Sequence, residues 1–252
     1  MLEMTGNLAH MKSTSNTTEN PAPLRPADSV ERIYEALKER AVNYEFRPGQ
    51  KVKEVELAAQ LSVSRTPIRE ALNRLVVDEL MTFEPNKGFF CRDIDAQEVF
   101  DLYELRATLE LGAFSRIEHV ASYEDIDALC ANWNAIATRR DSMSAADLAQ
   151  ADEHFHEALA GMAGNAVLLK TLRNVNARIR FFRAIEIDSA EHRERTFAEH
   201  AQLVELLRTS DFKAAYDVLA SHLSMSTVHA LDVTKRGLAR AHLEVRTDQT
   251  GP

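Results

Sequence analysis

The stretch that decides the fold runs from Ser64 to Leu75 and reads SRTPIREALNRL. Ile68 and Leu72 recur with Leu75 at steps of three and four residues, which predicts a short helix with one apolar face. The donor-rich side chains form a second stripe at four-residue steps, made of Arg65, Arg69 and Asn73. Such side chains reach phosphates and base edges in a DNA groove. The pattern is typical of a recognition helix, and a solvated surface helix is the alternative.

The flanking residues predict the rest of a winged helix-turn-helix. A short amphipathic helix from Val55 to Leu61 precedes the stretch, and only two residues separate it from Ser64, a favourable N-cap. Strand-like runs at Leu80–Phe83 and Phe89–Cys91 follow, joined by a turn that contains Pro and Gly. A leading helix would close the core with Tyr34, Leu37 and Val42.

Residues 30–93 resemble the winged helix-turn-helix of the GntR family of bacterial transcription regulators. The resemblance is carried by four motifs: Arg47-Pro48-Gly49, Glu56-Leu57-Ala58, Ser64 through Leu72, and Pro85-Asn86-Lys87-Gly88. It implies that operator DNA is contacted by Arg65, Thr66 and Arg69, and that Lys87 and Gly88 lie in the wing. Together with Asn73 from the polar stripe, these are the candidate DNA-binding residues.

Two positions depart from the family pattern. Where the family usually has Gly before the leucine that opens the wing, this chain has Glu79. We therefore expect either a helix end without a left-handed cap or a mildly strained Glu79. Val55 stands where some members have an arginine. The base contact and operator sequence of those members do not carry over.

The charge of the chain gives no support of its own to DNA binding. The formal net charge is -9, and residues 30–93 contain 11 basic and 11 acidic side chains. DNA-binding modules usually carry a basic surplus. The positive charge must be local, carried by Arg65, Arg69, Arg74 and Lys87. We expect tight operator binding to need a homodimer with two such modules side by side.

Length and composition fit two domains with a tail at each end. A chain of 252 residues with 45% hydrophobic side chains exceeds the usual single-domain size and can build ordinary cores. Residues 1–29 predict a disordered tail, and residues 242–252 a second tail. The sequence has no secretion signal, bilayer-spanning run or CxxC pair. We expect a cytoplasmic protein without disulfides and without a membrane partner.

Beyond residue 95 the pattern is almost purely helical. Glycine is scarce there, and proline is absent until Pro252. We predict six helices, with ends accurate to about 2 to 4 residues: Ala96–Val120, Tyr123–Arg140, Ala145–Ala163, Ala166–Ile187, Glu191–Thr209 and Phe212–Arg240. The predicted fold class is mainly α, with a winged helix-turn-helix at 30–93 followed by an antiparallel all-helical bundle of about six helices at 95–241.

Four ionisable residues are predicted on the inner faces of three of these helices. Asp152 and His156 lie one turn apart in the third helix, His200 lies in the fifth, and His222 lies in the sixth. A lone histidine on an apolar face is most often a core residue with one hydrogen bond. Burying all four groups without partners would be costly, whereas a divalent metal satisfies them together. We expect a divalent metal ion at these residues. Zinc is the first choice, and nickel and manganese are the alternatives.

Residues 95–241 resemble the FCD effector-binding domain of the FadR branch of the GntR family. The matching segments are Asp152–His156, Glu199–Leu203 and Ser221–Leu223. Six helices rather than seven favour the VanR-type subgroup. In the metal-binding members an Asp and three His hold the ion, and the resemblance assigns that role to Asp152, His156, His200 and His222.

Arg106 is the main candidate for binding an effector. It lies one step from a predicted inward stripe of Leu102, Leu105 and Leu109. An i,i+4 ion pair with Glu110 is one interpretation. A bidentate contact to a carboxylate is the other, and the resemblance favours it because many such domains bind organic acids. Asn174 and Arg178, one turn apart on the fourth predicted helix, are further effector-binding candidates.

Three functions fit these features. The first is a ligand-responsive transcription regulator, more often a repressor in this family, which binds a two-fold operator as a homodimer and responds to a metal-bound small carboxylate metabolite. The second is a metal-dependent hydrolase. Against it stand the DNA-binding half and the lack of a further inward carboxylate placed as a general base. The third is a direct sensor of the metal ion. We expect no enzymatic activity.

Overall fold

The computed structural model describes residues 26–224 and 227–247, which form a winged domain and a helical bundle. The winged domain consists of α1 (Pro26–Val42), β1 (Lys51–Val52), α2 (Glu54–Gln60), α3 (Arg65–Val77), β2 (Met81–Glu84) and β3 (Gly88–Cys91). Its strands form an antiparallel sheet in the order β1-β3-β2, with Met81 opposite Cys91 and Lys51 opposite Phe90. The predicted helix-turn-helix and wing are confirmed, and the two-residue strand β1 is an addition.

The core of the winged domain lies between α1, α3 and the sheet. Ile68 and Leu72 on the apolar face of α3 are fully buried, as their spacing predicts, and share one hydrophobic cluster with Leu37 of α1 and Phe89 of β3. The opposite stripe of α3 faces solvent through Arg65, Thr66, Arg69 and Asn73. The helix therefore has the two opposed surfaces that the sequence predicts.

Glu79 ends α3 in the left-handed conformation, with φ of 57°. The Leu80 N–H donates to the Leu75 carbonyl at 2.9 Å and the Glu79 N–H to the Val76 carbonyl at 3.1 Å. This pair of bonds is the one with which a left-handed residue closes a helix, a position where glycine avoids strain. The predicted mild strain at Glu79 is therefore present.

The bundle contains seven α-helices within the described residues. They are α4 (Ala96–Val120), α5 (Tyr123–Ala137), α6 (Ala145–Gly161), α7 (Ala166–Asp188), α8 (Ala190–Arg208), α9 (Phe212–Leu223) and α10 (Thr227–Thr247), with a 3-10 turn at Arg140–Ser142. Side chains cap five of their N-termini: Asp95, Ser122, Ser144, Asn165 and Asp211. The first five predicted helices are confirmed to within a few residues. None of the described helices is long and apolar enough to cross a bilayer.

The sixth predicted helix is wrong as a single element, because it is divided into α9 and α10. Ser224 is extended, with ψ of 128°, and its hydroxyl donates to the Ser221 carbonyl at 2.8 Å. Serine hydroxyls that bond to nearby backbone compete with helix continuation. The division lets α9 pack on α8 and α4 while α10 packs on α4 and α7. The assignment to the VanR-type subgroup rested on a count of six helices, and the seventh helix removes that support.

The predicted boundaries of both tails are wrong, because a helix extends into each tail. Helix α1 starts at Pro26, inside the predicted tail 1–29, and α10 runs to Thr247, inside the predicted tail 242–252. Proline is favoured in the first turn of a helix because its φ is already helical and its missing N–H is not needed there. Residues 242–247 contain no Gly or Pro to stop α10. The remaining tail residues, 1–25 and 248–252, lie outside the described residues.

Helix α7 joins the winged domain to the bundle. The ring of Tyr44, at the end of α1, lies 5.0 Å from that of Phe181 and 6.2 Å from that of Phe182, both on α7. Arg180 of α7 pairs with Glu39 of α1 at 3.2 Å. One hydrophobic cluster includes residues of both domains. Helix α7 therefore packs both within the bundle and against the winged domain.

Candidate metal centre

The four predicted metal ligands lie together in the middle of the bundle. Asp152 and His156 are one turn apart on α6, His200 is on α8, and His222 is on α9. One ligand atom from each lies within 4.8 Å of the others. The first three side chains are buried, and His222 is partly buried at the wall of a cavity. We call this set the His/Asp cluster, and its donor atoms could hold a metal ion.

Two carboxylates orient two of its imidazoles. Nδ1 of His156 lies 2.6 Å from Oε2 of Glu110, and Nδ1 of His222 lies 2.7 Å from Oε2 of Glu199. Because an ionised carboxylate only accepts, each Nδ1 carries a proton, which leaves Nε2 as the nitrogen that can present a lone pair to an ion. These two Nε2 atoms are 3.2 Å apart, and Nε2 of His200 is 3.1 Å from that of His222. Lone pairs that face one another in this way fit a shared cation.

Asp152 divides its two oxygens between an arginine and the cluster. Oδ2 accepts from Nη2 of Arg183 at 2.5 Å. Oδ1 lies 3.7 Å from Nε2 of His156 and 3.7 Å from Nε2 of His200. It is buried without a hydrogen-bond partner in the part of the chain that the structure describes. Since a buried charged oxygen without a partner is costly, Oδ1 also fits a position beside a cation.

The environment keeps these groups in the protonation states that ligate metals. Burial alone would raise the pKa of Asp152, but Arg183 and the neighbouring histidines His156 and His200 hold it well below its usual range. Burial lowers the pKa of His156 to about 4, although Glu110 opposes the shift. Burial, followed by the other histidines, also lowers the pKa of His200 well below 6.5. Near neutral pH the aspartate is ionised and these two imidazoles are neutral, as metal binding requires.

A small cavity of about 40 Å³ opens beside His222. The charged and histidine side chains that line this cavity include Arg106, Arg183, Arg195, Glu186, Glu199 and His222. Nε of Arg106 donates to Oε1 of Glu110 at 2.6 Å, so the predicted i,i+4 ion pair is present. Its Nη2 lies 3.9 Å from Oδ2 of Asp152 and has no hydrogen-bond partner among the described residues. Arg106 therefore makes the ion pair, lines the cavity and keeps one buried donor without a partner in the described part of the chain.

Asn174 and Arg178, the other predicted effector-binding residues, do not line this cavity and contact other parts of the protein instead. Nδ2 of Asn174 donates to the Asp78 carbonyl at 2.7 Å. Arg178 pairs with Glu79 at 2.6 Å and with Glu98 at 2.5 Å. The side of α7 that carries these two residues faces the winged domain. Arg183 and Glu186, further along the helix, face the cavity.

Several site residues were missed from the sequence. Three further carboxylates, those of Glu110, Glu186 and Glu199, face the cluster or the cavity, and each pairs with a histidine. Leu105, predicted to point inward, is 42% exposed. The spacing of Arg106 and Glu110 on α4 offered a signal for one carboxylate. No signal in the sequence pairs Arg183 with Asp152, since that contact depends on how α7 packs against α6.

The candidate DNA-binding residues of α3 line one shallow groove on the surface of the winged domain, formed by Arg65, Thr66, Arg69 and Asn73 with Glu54 and Glu70. Glu54 lies 3.8 Å from Arg65 and 3.9 Å from Arg69. In the wing, Lys87 pairs with Glu84 at 2.6 Å, and Gly88 has φ of 102°. Exposed pairs of this kind are weak, so these cations remain available to phosphates.

Arg74, the fourth cation of the predicted local positive charge, packs on an aromatic ring as well as forming an ion pair. Its guanidinium lies 3.9 Å above the ring of Tyr34 and pairs with Glu31 at 2.7 Å. The hydrogen bond with Glu31 raises the pKa of Arg74 above its usual value, and this effect outweighs burial, which lowers it. Arg74 is thus held against Tyr34, whereas Arg65, Arg69 and Lys87 make only loose or exposed ion pairs in the part of the chain that the structure describes.

Comparison with known proteins gives matches to both halves of the chain. Residues 29–91 match the family described as bacterial regulatory proteins, gntR family, and residues 101–225 match the FCD domain. The Nta operon transcriptional regulator of Aminobacter aminovorans is 44% identical over 178 residues, covering 70% of this chain and 83% of that protein. The HTH-type transcriptional repressor RspR of Escherichia coli K12 is 25% identical over 203 residues, covering 79% and 88%. The solved structure of E. coli McbR/YncC has the same fold, with a TM-score of 0.65 at 19% identity over 86% of this chain and 98% of that one.

Proposed function

This chain belongs to the GntR family of bacterial regulatory proteins and carries an FCD domain, and from that premise we propose a repressor whose hold on operator DNA responds to a small carboxylate bound at a metal ion. The relatives above are named as transcriptional regulators, so the chain is a transcriptional regulator and not an enzyme. The metal, the effector, the homodimer and the repression are the parts we propose.

The observation that carries the metal proposal is the convergence of donor atoms in the His/Asp cluster. Asp152 Oδ1 has no hydrogen-bond partner within the described ranges, and two imidazole Nε2 atoms face each other at 3.2 Å. Asp and His together are ligands typical of zinc and related ions, and zinc is our first choice over nickel or manganese. The cluster already supplies four ligands, so an oxygen ligand of the effector requires the ion to take a fifth or sixth ligand, as nickel and manganese do and as zinc does when it expands beyond four.

The observation that supports a carboxylate effector is the unused donor of Arg106. Nη2 of this buried guanidinium has no hydrogen-bond partner among the described residues and lies 3.9 Å from Oδ2 of Asp152, and Arg106 is one of the residues that line the cavity. Arg183 is occupied by Asp152 and Arg195 lies near Glu199 at 4.0 Å. A buried guanidinium recognises a carboxylate through charge-assisted hydrogen bonds. We therefore expect Arg106 to orient one carboxylate group of the effector next to the metal.

Helix α7 lines the cavity and also contacts the winged domain, which supports a link between effector binding and DNA binding. Arg183 of α7 holds the metal ligand Asp152, and Arg180, one turn earlier, holds Glu153 at 2.7 Å and Glu39 of α1 at 3.2 Å. A ligand shifts a regulator by its different affinity for two arrangements. We propose that effector binding changes how α7 presents the winged domain, and so how two such domains in a cytoplasmic homodimer fit a two-fold operator.

A direct metal sensor is the second candidate. The specific observation in its favour is the cavity volume of about 40 Å³, which holds only a few water molecules. In that case the ion itself is the signal, and no carboxylate changes the operator affinity at constant metal.

Retention of genomic DNA tests the regulator proposal. The purified full chain, loaded with zinc, is mixed with fragments of the source genome, and the retained fragments are sequenced. We expect a few discrete fragments with two-fold symmetric half-sites, and their release by one of a panel of simple carboxylates. Uniform retention of all fragments would overturn specific operator binding. Release by zinc removal but by no carboxylate would favour the sensor.

A further inference from the structure

A second set of metal-binding side chains lies at the same cavity, apart from the His/Asp cluster. Glu186 is near the end of α7, His192 is in the first turn of α8, and His229 is in the first turn of α10. One ligand atom from each lies within 4.8 Å of the other two. We propose that these three residues, the Glu186 cluster, form a second site for a divalent transition metal.

Glu186, like Asp152, turns one oxygen toward Arg183 and the other toward imidazoles, but its second oxygen is within hydrogen-bond distance of a histidine. Its Oε2 accepts from the Tyr103 hydroxyl at 2.6 Å and lies 3.5 Å from Nη1 of Arg183. Its Oε1 lies 2.7 Å from Nε2 of His229. Arg183 thus stands between two carboxylates, engages one oxygen of each, and leaves the other oxygen beside imidazole nitrogens.

Arg183 does not remove the anionic character that a cation needs here. The guanidinium lies 2.5 Å from Asp152 and 3.5 Å from Glu186, so its closer ion pair is the one with Asp152. Glu186 is 5% exposed, so its carboxylate acts in a medium where charge is poorly screened. The rings of His192 and His229 are stacked 4.9 Å apart, which keeps both imidazoles beside this carboxylate.

The ligand set selects the class of ion. Two imidazoles and one carboxylate are a recurrent three-ligand set for zinc, with an open fourth position. Hard ions such as magnesium and calcium prefer oxygen ligands throughout. The open position would face the cavity, because Glu186, His192 and His229 all line it. Zinc is the probe of choice, and nickel belongs to the same class.

The location gives an ion at this site a structural effect. It would tie α7 and α8 to the start of α10, next to the division at Ser224. Helix α10 packs closely on α7 further along, where a Cβ on Gly237 would lie 3.0 Å from Phe182. A ligand that binds the folded state and not the unfolded chain raises thermal stability. Occupancy of the Glu186 cluster should therefore raise the melting temperature.

Zinc stoichiometry tests the second site. The metal-stripped full chain is dialysed to equilibrium against zinc chloride, and the bound zinc is measured by elemental analysis. We expect two ions per wild-type chain and one in His192→Ala. His154→Ala, an exposed histidine of α6 outside both clusters, is the matched control and should keep two. Glu186→Gln keeps the shape and removes the charge, so it should also lose one ion if His192→Ala proves poorly folded by circular dichroism.

The two sites give different results. If both exist, His200→Ala keeps one ion, and that ion still raises its melting temperature. A single ion in the wild type that His192→Ala keeps and His200→Ala loses would overturn the second site and leave the proposed function intact. A single ion that His200→Ala keeps and His192→Ala loses would establish the second site and refute the first.

Discussion

At the scale of single residues, the side chains behind the His/Asp cluster decide which atoms the cluster can offer to an ion. Glu110 and Glu199 fix which nitrogen of their histidine partners carries the proton. Arg183 fixes which oxygen of Asp152 faces the cluster. Contacts of this kind typically change metal affinity by about 10 to 100-fold when they are removed. Ion pairs between helices therefore hold the His/Asp cluster in shape.

The metal-free protein should lose thermal stability as the pH falls from 6.5 toward about 4. Burial lowers the pKa of His156 from 6.5 to about 4, and it lowers the pKa of His200 in the same direction. In this window the unfolded chain takes up protons that the folded chain does not, so acid favours unfolding. The melting temperature of the stripped protein across the window measures the effect.

Two variants sharpen this pH test. His156→Gln removes one of the buried titrating rings, so its melting temperature should fall less steeply than that of the wild type. His154→Gln removes an exposed ring from the same helix and should follow the wild type. Equal slopes for all three proteins would show that His156 does not titrate as its burial requires.

Arg65→Ala and Arg69→Ala should each weaken operator binding by about 1 to 3 kcal/mol, as expected for loss of a specific arginine contact. Both side chains are more than half exposed and pair only loosely with Glu54, at 3.8 and 3.9 Å, so the fold should not change. Operator affinity is measured by fluorescence anisotropy at constant salt. Arg116→Ala, an exposed arginine on α4, is the control and should bind as the wild type. Unchanged affinity in both α3 variants would remove α3 from the DNA interface.

Residue spacing could predict the His/Asp cluster but not the whole site. Asp152 and His156 share a helical face with buried apolar residues, so their direction follows from the period of the helix. Asn174 and Arg178 are also one turn apart, yet their partners Asp78 and Glu98 lie outside α7. Which way that turn faces depends on the docking of the winged domain, which no local spacing encodes.

At the scale of elements, the close packing of α10 on α7 is the feature to test. A Cβ at Gly237 would lie 3.0 Å from Cε1 of Phe182 and 3.3 Å from Cε1 of Phe181. Phe182 is 1% exposed and packs on Tyr44, so it has little room to move. Gly237→Ala should therefore destabilise the protein by about 1 to 3 kcal/mol, the usual cost of overpacking.

Gly112 on α4 is the matched control for that substitution. A Cβ there meets nothing within 4 Å. Gly112→Ala should stabilise by about 0.5 to 1 kcal/mol, because alanine loses less chain entropy in a helix. Chemical denaturation of both variants gives the comparison. Equal stability of Gly237→Ala and Gly112→Ala would contradict the tight contact between α10 and α7.

Element boundaries were predictable where a side chain marks them and not elsewhere. Ser122 and Ser144 form capping boxes at the starts of α5 and α6, which a sequence shows directly. The division between α9 and α10 has no Gly or Pro, and only the serines around Ser224 hint at it. Its cause is tertiary, since the two helices pack on different neighbours.

At the scale of the whole molecule, tight operator binding should depend on dimerisation. The winged domain has equal numbers of acidic and basic residues over 30–93, 11 of each, so one module gains little from phosphate contacts. Two modules on half-sites about one helical turn apart add their contacts. Light scattering at concentrations that saturate the operator should give the mass of a dimer. A monomer under those conditions would contradict the proposed assembly.

In the proposed regulator the effector carboxylate and the metal share one site. Calorimetry of the operator-releasing carboxylate against zinc-loaded and metal-stripped protein tests it most directly. We predict that stripping lowers the carboxylate affinity at least about tenfold, and by reciprocity that the carboxylate tightens zinc binding by the same factor. Arg106→Lys, which keeps the charge but not the planar fork, should weaken the carboxylate without loss of zinc. Equal carboxylate affinity with and without metal would contradict the claim.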